Sequence, residues 1–203
     1  MFYAIINSFD PTPCKPVKIR QNDDNRHEWD IPENENMVLV EHEGYSYYVQ
    51  NNANLEHSTK IICFIIKYTK LLKLELCKHF PTNNKLKDNI ILFLKTPIQF
   101  QEITPNDMFD GLNKPKDIVE NKDNLNIVLD NKYRASYRLI MLRIRNKNGS
   151  FRQWKVVKKL LIHELTHGMC NHCTYRTKGN HDKDFNECEE FLKKFIKNNK
   201  ELK

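Results

Sequence analysis

An α+β fold, in which a small mixed sheet packs on helices, is what this sequence predicts, and three observations carry the prediction. Two β-branched and aromatic runs flank a short glycine-containing loop, Met37-Val38-Leu39-Val40 and Tyr45-Ser46-Tyr47-Tyr48-Val49 around Glu41-His42-Glu43-Gly44, the signature of a β-hairpin. Three longer segments place apolar residues three and four apart, the helical period. Between them lie compact apolar runs short enough for strands.

Taken in order, residues 1–36 are rich in Asn, Asp and Pro, with Asp10-Pro11-Thr12-Pro13 and Lys15-Pro16 punctuating them. An irregular N-terminal extension is expected there, followed by one domain over 37–203. From His57 to Phe80 the positions Ile61, Phe64, Ile65, Tyr68, Leu71, Leu72, Leu76 and Phe80 predict a helix that Pro81 ends. Lys60, Lys67, Lys70 and Lys78 fall close together around it, as a solvated face does; a nucleic-acid contact is the alternative. Ile90–Leu94, Leu125–Leu129 and Arg138–Arg145 are expected as strands. Pro97, Pro105, Gly111 and Pro115 mark Thr96 to Asp123 as loop, and Asn146-Lys147-Asn148-Gly149 as a turn. Val156, Val157, Leu160, Leu161 and Leu165 predict a helix over Trp154–Met169. Phe185, Cys188, Phe191, Leu192 and Phe195 predict another from Asp184 to Lys197.

At 203 residues, 39% hydrophobic and 29% charged, the chain suits one domain with a modest core. No run reaches the roughly 18 apolar residues of a membrane span, since the richest, Ile61 to Leu76, carries Lys67, Lys70 and Lys73. Met1-Phe2-Tyr3-Ala4-Ile5-Ile6 lacks a basic leader and a long apolar core. The expectation is therefore no membrane, no secretion, and residence in cytoplasm or nucleus. Six cysteines are expected as reduced thiols in that setting, with Cys14, Cys63, Cys77 and Cys188 acting as small hydrophobes.

Chemistry concentrates in His163-Glu164-Leu165-Thr166-His167. On a helix, histidines four apart project from one face and reach a single ion, while Glu164 can hold a water on that ion. Zinc lowers such a water's pKa from about 15.7 to about 7, so that a carboxylate takes its proton as it attacks a carbonyl. HExxH is a metalloprotease signature for that reason. Five residues with two free positions also occur by chance on helix surfaces. Here Leu160-Leu161-Ile162 and Leu165 mark a buried helix, in which two unpartnered histidines and a carboxylate would be costly. Zn2+ is the expected cofactor.

A third ligand must come from His172, His181, Cys170 or Cys173. His181 is the choice, because Gly179-Asn180 permits the chain to turn back and Phe185 can anchor the return in the core. Cys170-Asn171-His172-Cys173 resembles half of a structural zinc site whose second half is missing. Tyr175, His172 or Arg176 are candidates to stabilise an oxyanion, as fixed donors near developing charge do, and Tyr175 is the one expected to be catalytic beside Glu164.

The run Met141-Leu142-Arg143-Ile144-Arg145, then Phe151 and Trp154, then Leu160 to His167, resembles the WLM family of metallopeptidases, relatives of the SprT and Spartan proteases. That family pairs an "LRLR" strand with a "HELTH" helix. His181-Asp182 with Phe185 is similar to its "HDxxF" ending, in which the histidine is the third zinc ligand. The likeness covers residues 138–195. Thirteen residues, Gly168 to Asn180, separate the second and third histidines, a longer gap than WLM proteins show and closer to the SprT and Spartan arrangement. The resemblance implies a zincin-like α+β domain over 37–203 and proteolysis of proteins crosslinked to DNA.

Charge gives separate support. Between Asn131 and His163 there is no acidic residue among ten basic ones, and the formal net charge is +7; a basic stretch suits a substrate attached to nucleic acid. Arg143, Arg145, Lys147 and Arg152 are the candidate nucleic-acid contacts, to single-stranded or crosslinked DNA, and Leu139–Arg145 a candidate edge for an extended protein substrate. Two other readings compete. One is a non-catalytic nucleic-acid-binding module with a closed, four-ligand structural zinc; the other is a protease of soluble proteins without DNA involvement.

Overall fold

The computed structural model describes residues 37–43, 45–51, 54–81, 84–103, 109–120, 133–170, 181 and 183–203. The expected extension over 1–36 and the expected strand at 125–129 lie outside them. Within them the chain is α+β: strands β1 (Met37–His42), β2 (Tyr45–Gln50), β3 (Ile98–Glu102), β4 (Gly111–Glu120) and β5 (Tyr133–Leu142), and helices α1 (Leu55–Lys78), α2 (Lys87–Lys95), α3 (Trp154–Met169) and α4 (Lys183–Asn198). The five strands form one mixed sheet in the order β1-β2-β3-β5-β4. β1 and β2 are the antiparallel hairpin. β2 runs parallel to β3, and β3 to β5, so α1 and α2 make the crossover that parallel neighbours need. β4 returns antiparallel to β5 and closes the sheet on that side.

Helix α3 spans the expected residues, and α1 and α4 fall within two residues of their expected ends. Ile90–Leu94 is helix rather than strand: Ile90, Phe93 and Leu94 are its buried residues, the helical three-four pattern, and Asp88 in the first turn and Lys95 in the last complement the helix dipole. The expected loop from Thr96 to Asp123 contains two strands, β3 and β4. Pro115 is tolerated in β4 for a local reason. Its register partner Arg138 donates its N–H towards β3, to Pro97 O at 2.9 Å, so Pro115 turns its own nitrogen away from β5 and no ladder bond is lost. Because β5 lies between β3 and β4, Leu139–Leu142 is interior and offers no free edge; the edge strands of this sheet are β1 and β4.

The core joins Ile62, Ile65, Leu72 and Leu76 of α1, Phe93 of α2, Ile140 and Leu142 of β5, Leu161 and Leu165 of α3, and Phe185, Cys188 and Leu192 of α4. Lys60, Lys67, Lys70 and Lys78 are exposed as expected, and so is Phe64, which was expected inside. The turn after Ile144 closes through Gly149 N–H to Asn146 O at 2.9 Å, with Gly149 at φ 82, a conformation glycine adopts without a Cβ clash. Among the described residues no helix is long and apolar enough to cross a membrane.

The arginines of the "LRLR" run point inward, which corrects their assignment to nucleic acid. Arg145 is 1% exposed; its Nε donates to Glu102 Oε1 at 2.8 Å, and its Nη2 to Asn54 O at 3.3 Å and to Ser58 Oγ. Gln50 N–H donates to the other Glu102 oxygen at 2.9 Å. Burial pushes the Glu102 carboxyl upward, against the pull of these donors. Arg143 is buried too, with Nη1 3.4 Å from Asp110 Oδ1, and Arg152 donates to the same oxygen at 2.8 Å. Of the four candidates, Lys147 alone is exposed.

Candidate metal centre

Helix α3 explains why His163, Glu164 and His167 lie where they do. Val157, Leu161, Leu165 and Met169 form its buried stripe, which leaves His163 and His167 half-buried at its margin, one turn apart. Their ring centroids are 5.1 Å apart. His181, just before α4, closes the triangle at 4.6 Å from His163 and 5.5 Å from His167. The donor nitrogens of all three lie within 4.8 Å of one another, a spacing from which one ion can be reached by three imidazoles.

Phe185 supplies the floor. It is 1% exposed and its ring lies 5.1, 4.6 and 4.2 Å from those of His163, His167 and His181. One turn further along α4, Glu189 Oε1 stands 3.5 Å from His163 Nδ1. A carboxylate there fixes the imidazole tautomer and leaves Nε2 for the cluster, the usual support of a metal-binding histidine. Burial and the nearby His181 push the His163 pKa down, which favours the neutral, ligating form; Glu189 opposes them. Burial would raise the Glu189 carboxyl, but Lys193 and His163 hold it below the ordinary range.

Glu164 lies deeper, at 4% exposure. Burial pushes its carboxyl up to about 8. Strand β4 runs alongside: a Cβ placed on Gly111 would come within 2.9 Å of the Glu164 Cδ. Asn113 Nδ2 donates to the Glu164 carbonyl at 2.5 Å, and Arg138 Nη1 donates to Asn113 Oδ1 at 3.1 Å. The strand therefore holds helix α3 at the level of the glutamate, through the backbone as well as the side chain.

The structure brings His163, His167 and His181 together, and buries Glu164 on the same turn of α3 with its carboxyl against Gly111. Tyr175, His172, Arg176 and Cys173 lie outside the described residues. Cys170 is buried with its thiol 3.5 Å from Asp184 O. Sequence reading missed Glu189, Gly111, Asn113 and Arg138. Glu189 had a signal, since it follows Phe185 by one turn on the face that returns to α3; the β4 residues had none, being far away in sequence. No protein-family model, curated protein or solved structure matches this chain.

Proposed function

We propose that the chain is a zinc-dependent endopeptidase of the WLM and SprT type. The observation that carries this is the convergence of His163, His167 and His181 beside a buried carboxylate, with Glu189 behind His163. Three imidazoles leave a coordination position open, as catalytic sites do and closed structural sites do not. They would hold the ion through one nitrogen each. Bound zinc supplies Lewis acidity towards a water and a peptide carbonyl. Glu164 takes the proton of the attacking water on its carboxylate and delivers it to the departing amine nitrogen. Phe185 excludes water behind the cluster, and Asn113 keeps the glutamate's turn of helix in place. An extended peptide can pair with the outer edge of β4, where Gly111 faces Glu164, because main-chain pairing binds without reading side chains.

Two substrate readings follow. Resemblance and charge favour proteins crosslinked to DNA. The burial of Arg143 and Arg145 favours the other, cleavage of proteins with no nucleic acid involved, since among the described basic residues between 131 and 163 the exposed ones are Lys147, Lys155 and Lys159.

Glu164→Gln should retain zinc and lose proteolysis, measured on a protein crosslinked to single-stranded DNA with free protein as control; equal activity in variant and parent sinks the mechanism. His181→Ala should lose the ion on dialysis, and its retention moves the third ligand elsewhere. Salt-sensitive stimulation by DNA selects the first substrate reading.

A further inference from the structure

A second group of metal-ligating side chains sits at the opposite end of the sheet order. His42 ends β1, Glu43 begins the hairpin turn, and Cys63 faces them from α1; their ligand atoms all lie within 4.8 Å of one another. The carboxylate stands between the other two. Glu43 Oε1 is 3.7 Å from His42 Nε2, and Glu43 Oε2 is 3.6 Å from Cys63 Sγ. Tetrahedral zinc, with bonds of about 2.0 Å to nitrogen, 2.1 Å to oxygen and 2.3 Å to sulfur, separates oxygen from nitrogen by about 3.4 Å and oxygen from sulfur by about 3.6 Å. The observed spacings, one from each carboxylate oxygen, are close to these, so small side-chain rotations would bring the three groups round one ion.

Local structure explains the grouping. Glu43 adopts φ 50, a left-handed conformation uncommon outside glycine, in the tight turn that ends β1. Cys63 is 3% exposed, on the face of α1 that packs against the hairpin. Lys67, one turn along α1, pairs with the Glu43 carboxylate. Its side chain is 52% exposed, so it can return to solvent.

We propose that His42, Glu43 and Cys63 form a second binding site for a borderline divalent cation, with zinc the natural fit to one nitrogen, one oxygen and one sulfur donor. On binding, the thiol releases its proton to solvent and the thiolate and carboxylate together balance the two positive charges. Lys67 leaves the carboxylate as the ion arrives. The ion then joins the hairpin tip to α1 and fixes the outer strand of the sheet.

Cobalt(II) substitution of the full chain tests this, because a sulfur ligand gives an intense near-ultraviolet charge-transfer band that histidine and carboxylate ligands do not. The parent should bind two ions per chain and show the band. The band should persist in His163→Ala/His167→Ala, which separates this site from the peptidase centre, so either can fail alone. Cys63→Ala, with its fold checked by circular dichroism, should lose the band and one ion. His42→Ala, a surface change, should weaken the band's titration, and Lys67→Met should tighten it by removing the competing cation. A parent without the band, or a band that survives Cys63→Ala, overturns the proposal.

Discussion

Gly111→Ala adds one methyl group against the glutamate that the proposed mechanism depends on. An ideal Cβ at Gly111 falls 2.7 Å from Leu160 Cδ1 and 2.9 Å from Glu164 Cδ, whereas unstrained carbon contacts lie at about 3.5–4.0 Å. Roughly 1 Å of movement is therefore needed. Both neighbours are side-chain ends, which lowers the cost, and Leu160 is only partly buried. Glu164 is confined at 4% exposure. Overpacking of this kind costs about 1–3 kcal/mol, and the freedom of Leu160 places the loss near 1 kcal/mol. The effect on catalysis is larger, because a misplacement of about 1 Å can cost about 100-fold in rate, equivalent to about 2.7 kcal/mol. The assay combines kcat/KM on a protein substrate, zinc per chain, and the urea midpoint. The expected result is a fall of about two orders of magnitude in kcat/KM with zinc retained and a small shift in midpoint. Parent-like kcat/KM in Gly111→Ala would refute the proposed role of the Glu164 carboxylate beneath β4.

Other substitutions probe separate layers. Arg145→Met strands the Glu102 carboxylate inside the protein and should cost about 3–5 kcal/mol in urea unfolding, while leaving DNA affinity unchanged in a salt titration; the reverse pattern would return Arg145 to a nucleic-acid role. Phe185→Ala should lose about 3–5 kcal/mol and weaken zinc binding measured by competition with a chelator, since the same ring packs on all three histidines. Glu75 accepts hydrogen bonds from Lys78 at 2.7 Å and Asn199 at 2.8 Å, which hold its carboxyl below the ordinary 4.5. A depressed carboxyl stabilises the fold above its unfolded value and loses that contribution as pH falls through the folded one. Glu75→Gln should therefore be less stable than the parent at pH 7, with the gap between unfolding midpoints closing below about pH 4.5; a gap independent of pH would assign the effect to packing.

What the sequence made legible was local periodicity. Helix α3 could be read because Val157, Leu161 and Leu165 recur at the helical spacing with Leu160 and Ile162 beside them, and the HExxH pattern fixes three side chains by that same spacing. Ile90–Leu94 was ambiguous, since five consecutive apolar residues fit a buried strand as well as a short helix; burial of Ile90, Phe93 and Leu94 decides it only once α2 is packed. The third histidine could be placed because Phe185 lies four residues beyond it. The arginines failed for a different reason. Their partners Glu102 and Asp110 come from β3 and the approach to β4, so part of a basic stretch in sequence is paired with carboxylates in space, inside the protein at Glu102 and at the surface at Asp110, and its charge could not be assigned before those partners were known.

Strand β4 turns the same misreading into a structural argument. Glycine and proline marked 111–115 as loop, yet each residue is there because of where the strand lies. Gly111 is required where the backbone passes against the Glu164 carboxylate, and Pro115 is permitted because its nitrogen faces away from the ladder. Both conditions belong to a strand at the rim of the sheet beside a buried acid. Breakers in such a strand reduce the β signal where the polypeptide passes the Glu164 carboxylate, which under the proposed function is also where an extended substrate would need an open row of backbone donors and acceptors. Midway between Gly111 and Pro115, Asn113 donates to the carbonyl of Glu164, so the rim strand and helix α3 are tied together at that turn.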